Sequence, residues 1–283
     1  MLKIALPNKG SLSEEARTLI SEAGYNCKRY SRELKVTDVK NQVEFIFLRP
    51  RDIAVYVQSG IIDLGVTGRD LAMDSESELD ELLSLGFGHS RFCYAVPEES
   101  LLTPEGFNGK RIATSYPGIV SQDLKRRNID AKIIKLDGAI EISINLGVAD
   151  AIADVVQTGR TMLEAGLRIS GEPVMVSEAV LATRKGRGEH LTAQEQVFIE
   201  RLKGIVVARQ YVMVEYDVDG EFLETACAVT PGIEAPTVAP LRREGWFAVK
   251  AMAPKKELNT IMDRLVDVGA KGVIVTDIRT CRL

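Results

Sequence analysis

Apolar and polar positions alternate in two distinct periods along the first half of the chain. Period-two or fully apolar runs indicate buried strands, and runs with a period near 3.6 indicate amphipathic helices. The strand patterns lie at 2–7, 43–49 and 62–67. The helical patterns lie between these strands, at 11–23 and 52–58. Ser11 and Glu14 fit a capping box at the entrance of the first helix. This order predicts an α/β fold with a mostly parallel sheet.

A second α/β block follows the turn-rich stretch at 97–109. Its strand patterns are at 111–115, 131–136 and 149–156, and its helical patterns are at 117–127 and 139–146. The run VMVSEAVLATR at 174–184 predicts one long return strand, which would carry the chain back to the first block. A long amphipathic helix is predicted over 192–207.

The pattern changes from Tyr211 onward, where strands and helices follow in the order β-α-β-β-α-β. The predicted strands are 211–218, 237–242, 246–253 and 271–279, and the predicted helices are 220–227 and 254–268. This order is typical of a ferredoxin-like (ACT-like) module. The sequence therefore predicts a separate small domain over 211–283.

Composition excludes several classes of function. The formal charge is −4 and hydrophobic residues make up 45%, so nothing points to nucleic acid or to a membrane. The start of the chain lacks the basic and apolar segments of a secretion signal, and we expect a cytoplasmic protein. The four cysteines lie far apart in the chain, and His89 and His190 are the two histidines that could join them as zinc ligands. A zinc site or a histidine base is therefore not expected.

The stretch DAIADVVQTGRT at 150–161 carries the clearest chemistry. Asp154 lies near the end of a predicted strand, and Thr158-Gly159-Arg160-Thr161 opens the next helix. Backbone N–H groups, two hydroxyls and an arginine around one glycine suit a phosphate monoester, while a nearby carboxylate can accept hydrogen bonds from sugar hydroxyls. On this short pattern alone, an ordinary helix cap beside a solvated aspartate is an equally good interpretation.

Cations and other polar residues follow further strands. Lys9 stands between the first strand and the first helix, and Arg49 and Arg51 flank a proline at a strand end. Each would suit phosphate oxygens, but each alone could be a surface charge. Tyr116 could equally be a half-buried ring, and Glu141 a solvated carboxylate on a helix.

The motif acid-x-x-x-T-G-x-T resembles the ribose-5-phosphate loop of phosphoribosyltransferases. A longer pattern around it resembles the signature of the ATP phosphoribosyltransferase family. It comprises Glu141, Gly147, Val148, Ala149, Ile152, Asp154, Val155, Thr158, Gly159, Thr161 and Met162. Segments at 7–12, 47–57, 63–71, 85–88, 111–117 and 136–143 also resemble this family. The resemblance covers essentially the whole chain, and the C-terminal module is similar to that of the long form.

The resemblance implies a two-lobed catalytic core of the type II periplasmic-binding-protein kind, with the active site between the lobes. Lobe I would comprise 1–90 with 184–210, lobe II 91–183, and a regulatory domain 211–283. The implied reaction transfers the phosphoribosyl group of 5-phosphoribosyl 1-diphosphate to N1 of ATP adenine and releases diphosphate. It opens L-histidine biosynthesis. Mg²⁺ as cofactor, feedback inhibition by L-histidine and a homodimer that builds to a hexamer are further implications.

Residue roles also come from the resemblance. Catalytic roles fall to Lys9, Arg49, Glu141 and Asp154. Substrate phosphate binding falls to Gln157, Thr158, Gly159, Arg160 and Thr161. Nucleotide binding falls to Gly10, Asp70, Leu71 and Tyr116. Histidine would be sensed through Asp217, Ile233, Ala235, Thr237 and Gly272. Mg²⁺ would be held mainly by the substrate diphosphate, with Glu141 or Asp154 as protein ligand. Arg51 is less favoured, and Ala235 stands where some relatives carry a hydroxyl.

Two alternatives stay open at this point. A solute-binding or sensor protein could use the same two-lobed scaffold without catalysis, although it would leave the T-G-x-T loop unexplained. A phosphoribosyltransferase acting on another base is the second alternative. The missing general base is no objection to the ATP reaction, because adenine N1 already carries a lone pair.

Overall fold

The computed structural model describes residues 1–30 and 33–282. Its strands are β1 (Leu2–Pro7), β2 (Lys35–Asp38), β3 (Val43–Leu48), β4 (Leu64–Gly68), β5 (Leu79–Ser84), β6 (Ser90–Pro97), β7 (Arg111–Thr114), β8 (Lys132–Lys135), β9 (Ala151–Val156), β10 (Leu167–Ser177), β11 (Ala179–Arg184), β12 (Tyr211–Asp219), β13 (Thr237–Pro240), β14 (Trp246–Pro254) and β15 (Lys271–Asp277). Its α-helices are α1 (Ser11–Glu22), α2 (Pro50–Gln58), α3 (Arg69–Asp74), α4 (Pro117–Arg127), α5 (Arg160–Glu164), α6 (Ala193–Gln210), α7 (Leu223–Val229) and α8 (Leu258–Asp267).

The chain forms two compact units, Met1–Ile199 and Glu200–Leu283, and the division falls within α6. The first unit contains two sheets, ordered β2-β3-β1-β4-β11-β5 and β10-β6-β9-β7-β8. We call the first sheet with α1, α2 and α3 the first lobe, and the second sheet with α4 and α5 the second lobe. The chain passes from the first lobe to the second and returns, which is the two-lobed type II periplasmic-binding-protein-like core expected from the sequence.

Both sheets are mixed, so the prediction of a mostly parallel sheet is wrong. β1 lies parallel between β3 and β4, and β7 lies parallel between β8 and β9. In contrast, β2, β6, β10 and β11 run antiparallel to their neighbours, while the edge strand β8 is parallel to β7. An edge strand has the same apolar pattern whether it runs parallel or antiparallel to its neighbour. The sequence therefore does not distinguish parallel from antiparallel pairing.

The single return strand predicted over 174–184 is wrong, because the chain changes sheets at Glu178. β10 pairs with β6 in the second sheet, whereas β11 pairs with β4 and β5 in the first. Residues 179–183, which the predicted boundary gave to lobe II, thus belong to the first sheet by pairing. The other domain limits stay predictions. Only Glu178 separates the two strands, so their apolar residues look like one strand in the sequence.

Two local helix predictions are also wrong. α1 has Gly10 at its N-cap, at φ 79°, with no side-chain cap bond, so Ser11 and Glu14 form no capping box. The helix predicted over 139–146 is a short 3₁₀ turn, Ile140–Ser143, which follows Ala139 at φ 51°. A left-handed residue disfavours a regular helix start, and the sequence pattern carries no sign of it.

The second lobe closes around an aromatic and aliphatic core between its sheet and α4. Phe92, Tyr94, Ile112 and Ile119 are fully or almost fully buried there. The Tyr94 and Phe107 rings pack edge to face with centroids 5.0 Å apart. This packing fixes the start of α4, and with it the residues that precede that helix.

The second unit confirms the predicted β-α-β-β-α-β order. Its sheet is antiparallel in the order β13-β14-β12-β15, and β12 alternates buried and half-buried residues along its length. Val212, Val214 and Val218 pack against Ala226 of α7 and Leu265 of α8. The period of two in β12 arises because one face of the sheet carries both helices.

Within residues 1–30 and 33–282, no helix combines the length and the apolar character that a membrane span requires.

Candidate functional site

A cavity of about 450 Å³ lies where the first-lobe loops meet the start of α4 in the second lobe. Its lining residues are Lys9, Gly10, Ser11, Leu12, Arg49, Pro50, Arg51, Asp52, Leu71 and Tyr116. The structure therefore brings together most of the cationic and nucleotide-binding residues named above, although 107 positions separate the first from the last.

The loop after β1 supplies Lys9 and Gly10. The backbone N–H of Asn8 donates to Leu48 O at 2.8 Å, which holds the end of β1 against β3. Gly10 then turns at φ 79° and ψ 176°, a region that residues with a side chain essentially do not adopt. A Cβ atom at Gly10 would meet nothing within 4 Å. Conformation, and not crowding, thus requires glycine here.

Arg49 and Arg51 flank the first residue of α2. Arg49 is the extended N-cap, and Pro50 occupies the first helical position, where its missing N–H costs no hydrogen bond. Arg51 donates from NH1 to Asp74 Oδ2 at 2.8 Å, and its guanidinium lies 4.4 Å from the centre of the Tyr116 ring. The less favoured arginine is therefore part of the cavity wall and reaches the second lobe.

Asp70 lies beside this cavity but does not line it. The Ser177 hydroxyl donates to Asp70 Oδ1 at 2.8 Å and accepts from the Asp70 backbone N–H at 3.0 Å. Leu71, the next residue, does line the cavity. Burial raises the pKa of Tyr116, and the negative charge of Asp70 raises it further. The Tyr116 hydroxyl is therefore neutral throughout the physiological range.

Asp154 and Glu141 form a carboxylate pair on the second lobe. Burial raises the pKa of Asp154, the charge of Glu141 adds to that effect, and a bond from the Val155 backbone N–H at 2.8 Å opposes it. Arg51 also lowers the pKa of Asp154, so this carboxylate lies within electrostatic reach of the cavity wall. Glu141 is half-buried on the 3₁₀ turn after β8.

The loop between β9 and α5 carries the predicted phosphate-binding residues. Gln157, Thr158, Arg160 and Thr161 are exposed, and Gly159 is the N-cap at φ 79°. α5 has no side-chain cap bond, and Thr158 Oγ1 only approaches the Arg160 N–H at 3.5 Å. Thr158 is therefore only a weak cap of α5, and the interpretation of this loop as an ordinary helix cap has little support. Arg160 pairs with Glu164 at 2.7 Å on the surface.

Among residues 1–30 and 33–282, no group of three or more histidine, cysteine, aspartate or glutamate side chains is placed to hold a metal ion. Glu141 and Asp154 offer carboxylate oxygens, which are the donors that Mg²⁺ prefers. A magnesium ion bound there would need most of its ligands from a substrate or from water.

The second unit places the predicted histidine-sensing residues on one sheet and one loop. Asp217 on β12 is opposite Lys271 on β15, next to Gly272 at φ 60°. Thr237 begins β13, and Ile233 and Ala235 lie in the loop that leads to it. The start of this loop is anchored by a bond between the Tyr216 and Thr230 hydroxyls at 2.8 Å.

Sequence reasoning missed two polar residues beside the cavity, Ser177 and Asp74. Ser177 lies 107 residues from its partner Asp70. Asp74 lies 44 residues from Gly118, whose N–H it accepts at 2.9 Å. Neither residue belongs to a local motif, and only the packing of α3 against the second lobe reveals them.

Comparison with known proteins gives a consistent result. A family model described as "ATP phosphoribosyltransferase" matches residues 49–204, and one described as "HisG, C-terminal domain" matches residues 208–280. Proteins named ATP phosphoribosyltransferase from Salinibacter ruber and Pseudarthrobacter chlorophenolicus are 58% and 54% identical to the chain, each over 284 residues and the full length of both proteins.

Among solved structures, the chain is similar to the "ATP phosphoribosyl transferase (HisG:HisZ) complex from Thermotoga maritima". The two chains are 29% identical with a TM-score of 0.62, over 72% of this chain and 97% of the other.

Proposed function

The chain belongs to the ATP phosphoribosyltransferase family, and we propose that the cavity between the lobes of the first unit is its active site. The enzyme transfers the phosphoribosyl group of 5-phosphoribosyl 1-diphosphate to N1 of the adenine of ATP and releases diphosphate. This is the first step of L-histidine biosynthesis.

One observation carries the assignment of the site. Lys9, Arg49, Arg51 and Tyr116 line one cavity. The positive charge of Arg51 lowers the pKa of Asp154, which belongs to the second lobe. A triphosphate and a diphosphate bring many negative charges together, and cations on the cavity wall offset their repulsion. A sugar that becomes cationic in the transition state needs a carboxylate instead.

In the proposed reaction, cationic side chains face the diphosphate end of the breaking bond, and a carboxylate faces its ribosyl end. The bond from C1 of the ribose to diphosphate breaks with its electron pair leaving on the diphosphate oxygen. Lys9 and Arg49 stabilise that charge, and Arg51 binds the diphosphate equally in the substrate and in the transition state. The lone pair of adenine N1 forms the new bond to C1, so no side chain must remove a proton first. Asp154 stabilises the positive charge that develops on the ribosyl ring.

The loop at 157–161 would hold the 5-phosphate away from the reacting carbon. The Thr158 and Thr161 hydroxyls donate hydrogen bonds, and Gly159 lets phosphate oxygens approach the backbone. Fixing a remote phosphate positions C1 near Asp154, and such positioning can contribute roughly 7–11 kcal/mol to lowering a barrier. Gly10, Leu71 and Tyr116 would border the nucleotide, with Asp70 behind them.

The donor set also fits Mg²⁺ delivered with the substrate. Glu141 and Asp154 would supply carboxylate oxygens, and the diphosphate would supply the rest. When bound, the ion would neutralise part of the leaving-group charge.

The direct experiment measures diphosphate release from 5-phosphoribosyl 1-diphosphate mixed with ATP, with GTP and with free adenine. Release with ATP alone is the expected result. Release with another base donor but without ATP would favour a different phosphoribosyltransferase, and release with none would favour a non-catalytic binding protein.

The second unit is proposed to sense L-histidine through Asp217, Ile233, Ala235, Thr237 and Gly272, and to act through assembly from a homodimer to a hexamer. Diphosphate release and mass by light scattering are measured with and without histidine. We expect inhibition and growth of the assembly, both weakened by Asp217→Asn. Inhibition without a change of mass would support histidine sensing but contradict the proposed role of assembly. The cytoplasmic location stays a prediction.

A further inference from the structure

The first turn of α4 receives its cap from the other lobe. The N-cap residue Tyr116 makes no side-chain cap bond. Asp74, the last residue of α3, accepts the Gly118 N–H at Oδ1 over 2.9 Å, and the Ile119 N–H also interacts with this carboxylate. These two amides are the second and third of α4, which are the donors that an N-cap side chain normally satisfies.

The same carboxylate holds Arg51. Its other oxygen, Oδ2, accepts from Arg51 NH1 at 2.8 Å, and the Asp74 side chain is 9% exposed. Arg51 is 44% exposed, and its guanidinium lies over the Tyr116 ring. One buried carboxylate therefore fixes both the cation on the first-lobe wall and the helix that follows the tyrosine.

α3 and α4 pack too closely for a side chain at Gly118. A Cβ atom at Gly118 would lie 2.2 Å from the carbonyl oxygen of Asp74, so the two backbones touch. At the other end of α3, Asp70 bonds to Ser177 on β10. Both ends of this first-lobe helix are thus bonded to the second lobe.

We propose that Asp74 is a positioning residue for phosphoribosyl transfer, an inference that rests on the proposed function. It orients the Arg51 guanidinium over Tyr116, where Arg51 meets the diphosphate of 5-phosphoribosyl 1-diphosphate. An arginine without this partner has several rotamers and loses part of its charge-assisted bond to the substrate. Arg51 also lowers the pKa of Asp154, so the guanidinium lies within electrostatic reach of the carboxylate proposed to face the ribose.

The test compares Asp74→Asn, Arg51→Met and the double variant. The Asn amide oxygen can still accept the Gly118 N–H, but the ion pair with Arg51 is lost. We expect the KM for 5-phosphoribosyl 1-diphosphate to rise about tenfold in each single variant, with the KM for ATP changed less than about twofold. The double variant should be no worse than Arg51→Met, because Asp74 acts through Arg51.

A matched control is Glu195→Gln. Glu195 is also a buried carboxylate that accepts a helix-start N–H, from Thr192 at 2.7 Å, and an arginine, Arg187, at 2.7 Å. It lies at the start of α6 and does not line the cavity, so we expect a lower melting temperature with both KM values unchanged.

Three results would overturn the proposal while the wild type still releases diphosphate. These are an unchanged KM for 5-phosphoribosyl 1-diphosphate in Asp74→Asn, effects that multiply in the double variant, or an equal KM change in Glu195→Gln. If Asp74→Asn does not fold, Arg51→Met alone decides, and an unchanged KM in it rejects the proposal. A wild type without diphosphate release would instead reject the proposed function.

Discussion

Each lobe of the first unit presents a strand-to-helix loop with a glycine at φ 79°, and the two loops differ in their side chains. Gly10 follows Lys9 after β1, and Gly159 lies between Thr158 and Arg160 after β9. Neither following helix has a side-chain cap bond. Both loops thus use a glycine at positive φ before an uncapped helix, although their ψ angles differ; the first loop adds Lys9, and the second adds the Thr158 and Thr161 hydroxyls beside an Arg160 that is paired with Glu164. The comparison teaches that uncapped helix starts leave backbone N–H groups available in both lobes, and under the proposed function the side chains would decide which phosphate each loop binds.

The largest expected effect comes from Asp154, the second-lobe carboxylate proposed to face the ribose. Asp154→Asn removes the charge that stabilises the ribosyl cation, and we expect kcat to fall about 100-fold to 1000-fold. Stopped assays of diphosphate release measure this, with circular dichroism to show an intact fold. Near-normal turnover in the folded variant would reject the catalytic role of Asp154.

Thr161→Ala and Lys9→Ala test whether the two loops bind different phosphates. Thr161 would contact the unreactive 5-phosphate, so we expect the KM for 5-phosphoribosyl 1-diphosphate to rise about tenfold to 100-fold with little change in kcat. Lys9 would meet charge that develops on the leaving group, so its loss should act mainly on kcat. The same KM and kcat pattern in both variants would contradict the division of roles.

Much of the architecture was predictable because it follows from local periodicity. The strands at 2–7 and 43–49 and the whole order of the second unit came from the pattern of apolar residues. The crossover at Glu178 did not, because β10 and β11 belong to different sheets but are separated by a single residue and look like one strand in the sequence. The false capping box at Ser11 shows the same limit on a smaller scale, since the pattern fits but the left-handed Gly10 precedes it.

The candidate site was predictable to the extent that the family signature is local. Lys9, Arg49 and Tyr116 were named from sequence and do line one cavity. Arg51 was undervalued, because its importance depends on Asp74 and Tyr116, which are distant in the chain. Asp74 could not be found at all, since its partners Arg51 and Gly118 are distant in the chain and Gly118 belongs to a helix of the other lobe.

A smaller effect should separate the two glycines by their ψ angles. Gly10 at ψ 176° is in a region almost exclusive to glycine, whereas Gly159 at ψ −3° is near the left-handed region that asparagine tolerates. Gly10→Asn should lower the free energy of unfolding by about 1–3 kcal/mol, and Gly159→Asn by less than about 1 kcal/mol. Urea unfolding measures both. Equal losses would contradict the conclusion that the ψ angle decides how well each turn tolerates a side chain.

The smallest expected effect concerns the pH at which the second-lobe carboxylate loses its charge. Burial is the main cause of the raised pKa of Asp154, and the negative charge of Glu141 is a lesser one. Since Asp154 must be ionised to stabilise the sugar cation, kcat/KM should fall as the pH drops through this raised pKa. Glu141→Gln removes the repulsion, so the pKa of Asp154 falls and the acid limb moves to lower pH. Glu105→Gln, on an exposed turn of the same lobe, should leave the limb in place. A limb that moves upward would mean that Glu141 acts on Asp154 by some route other than its charge.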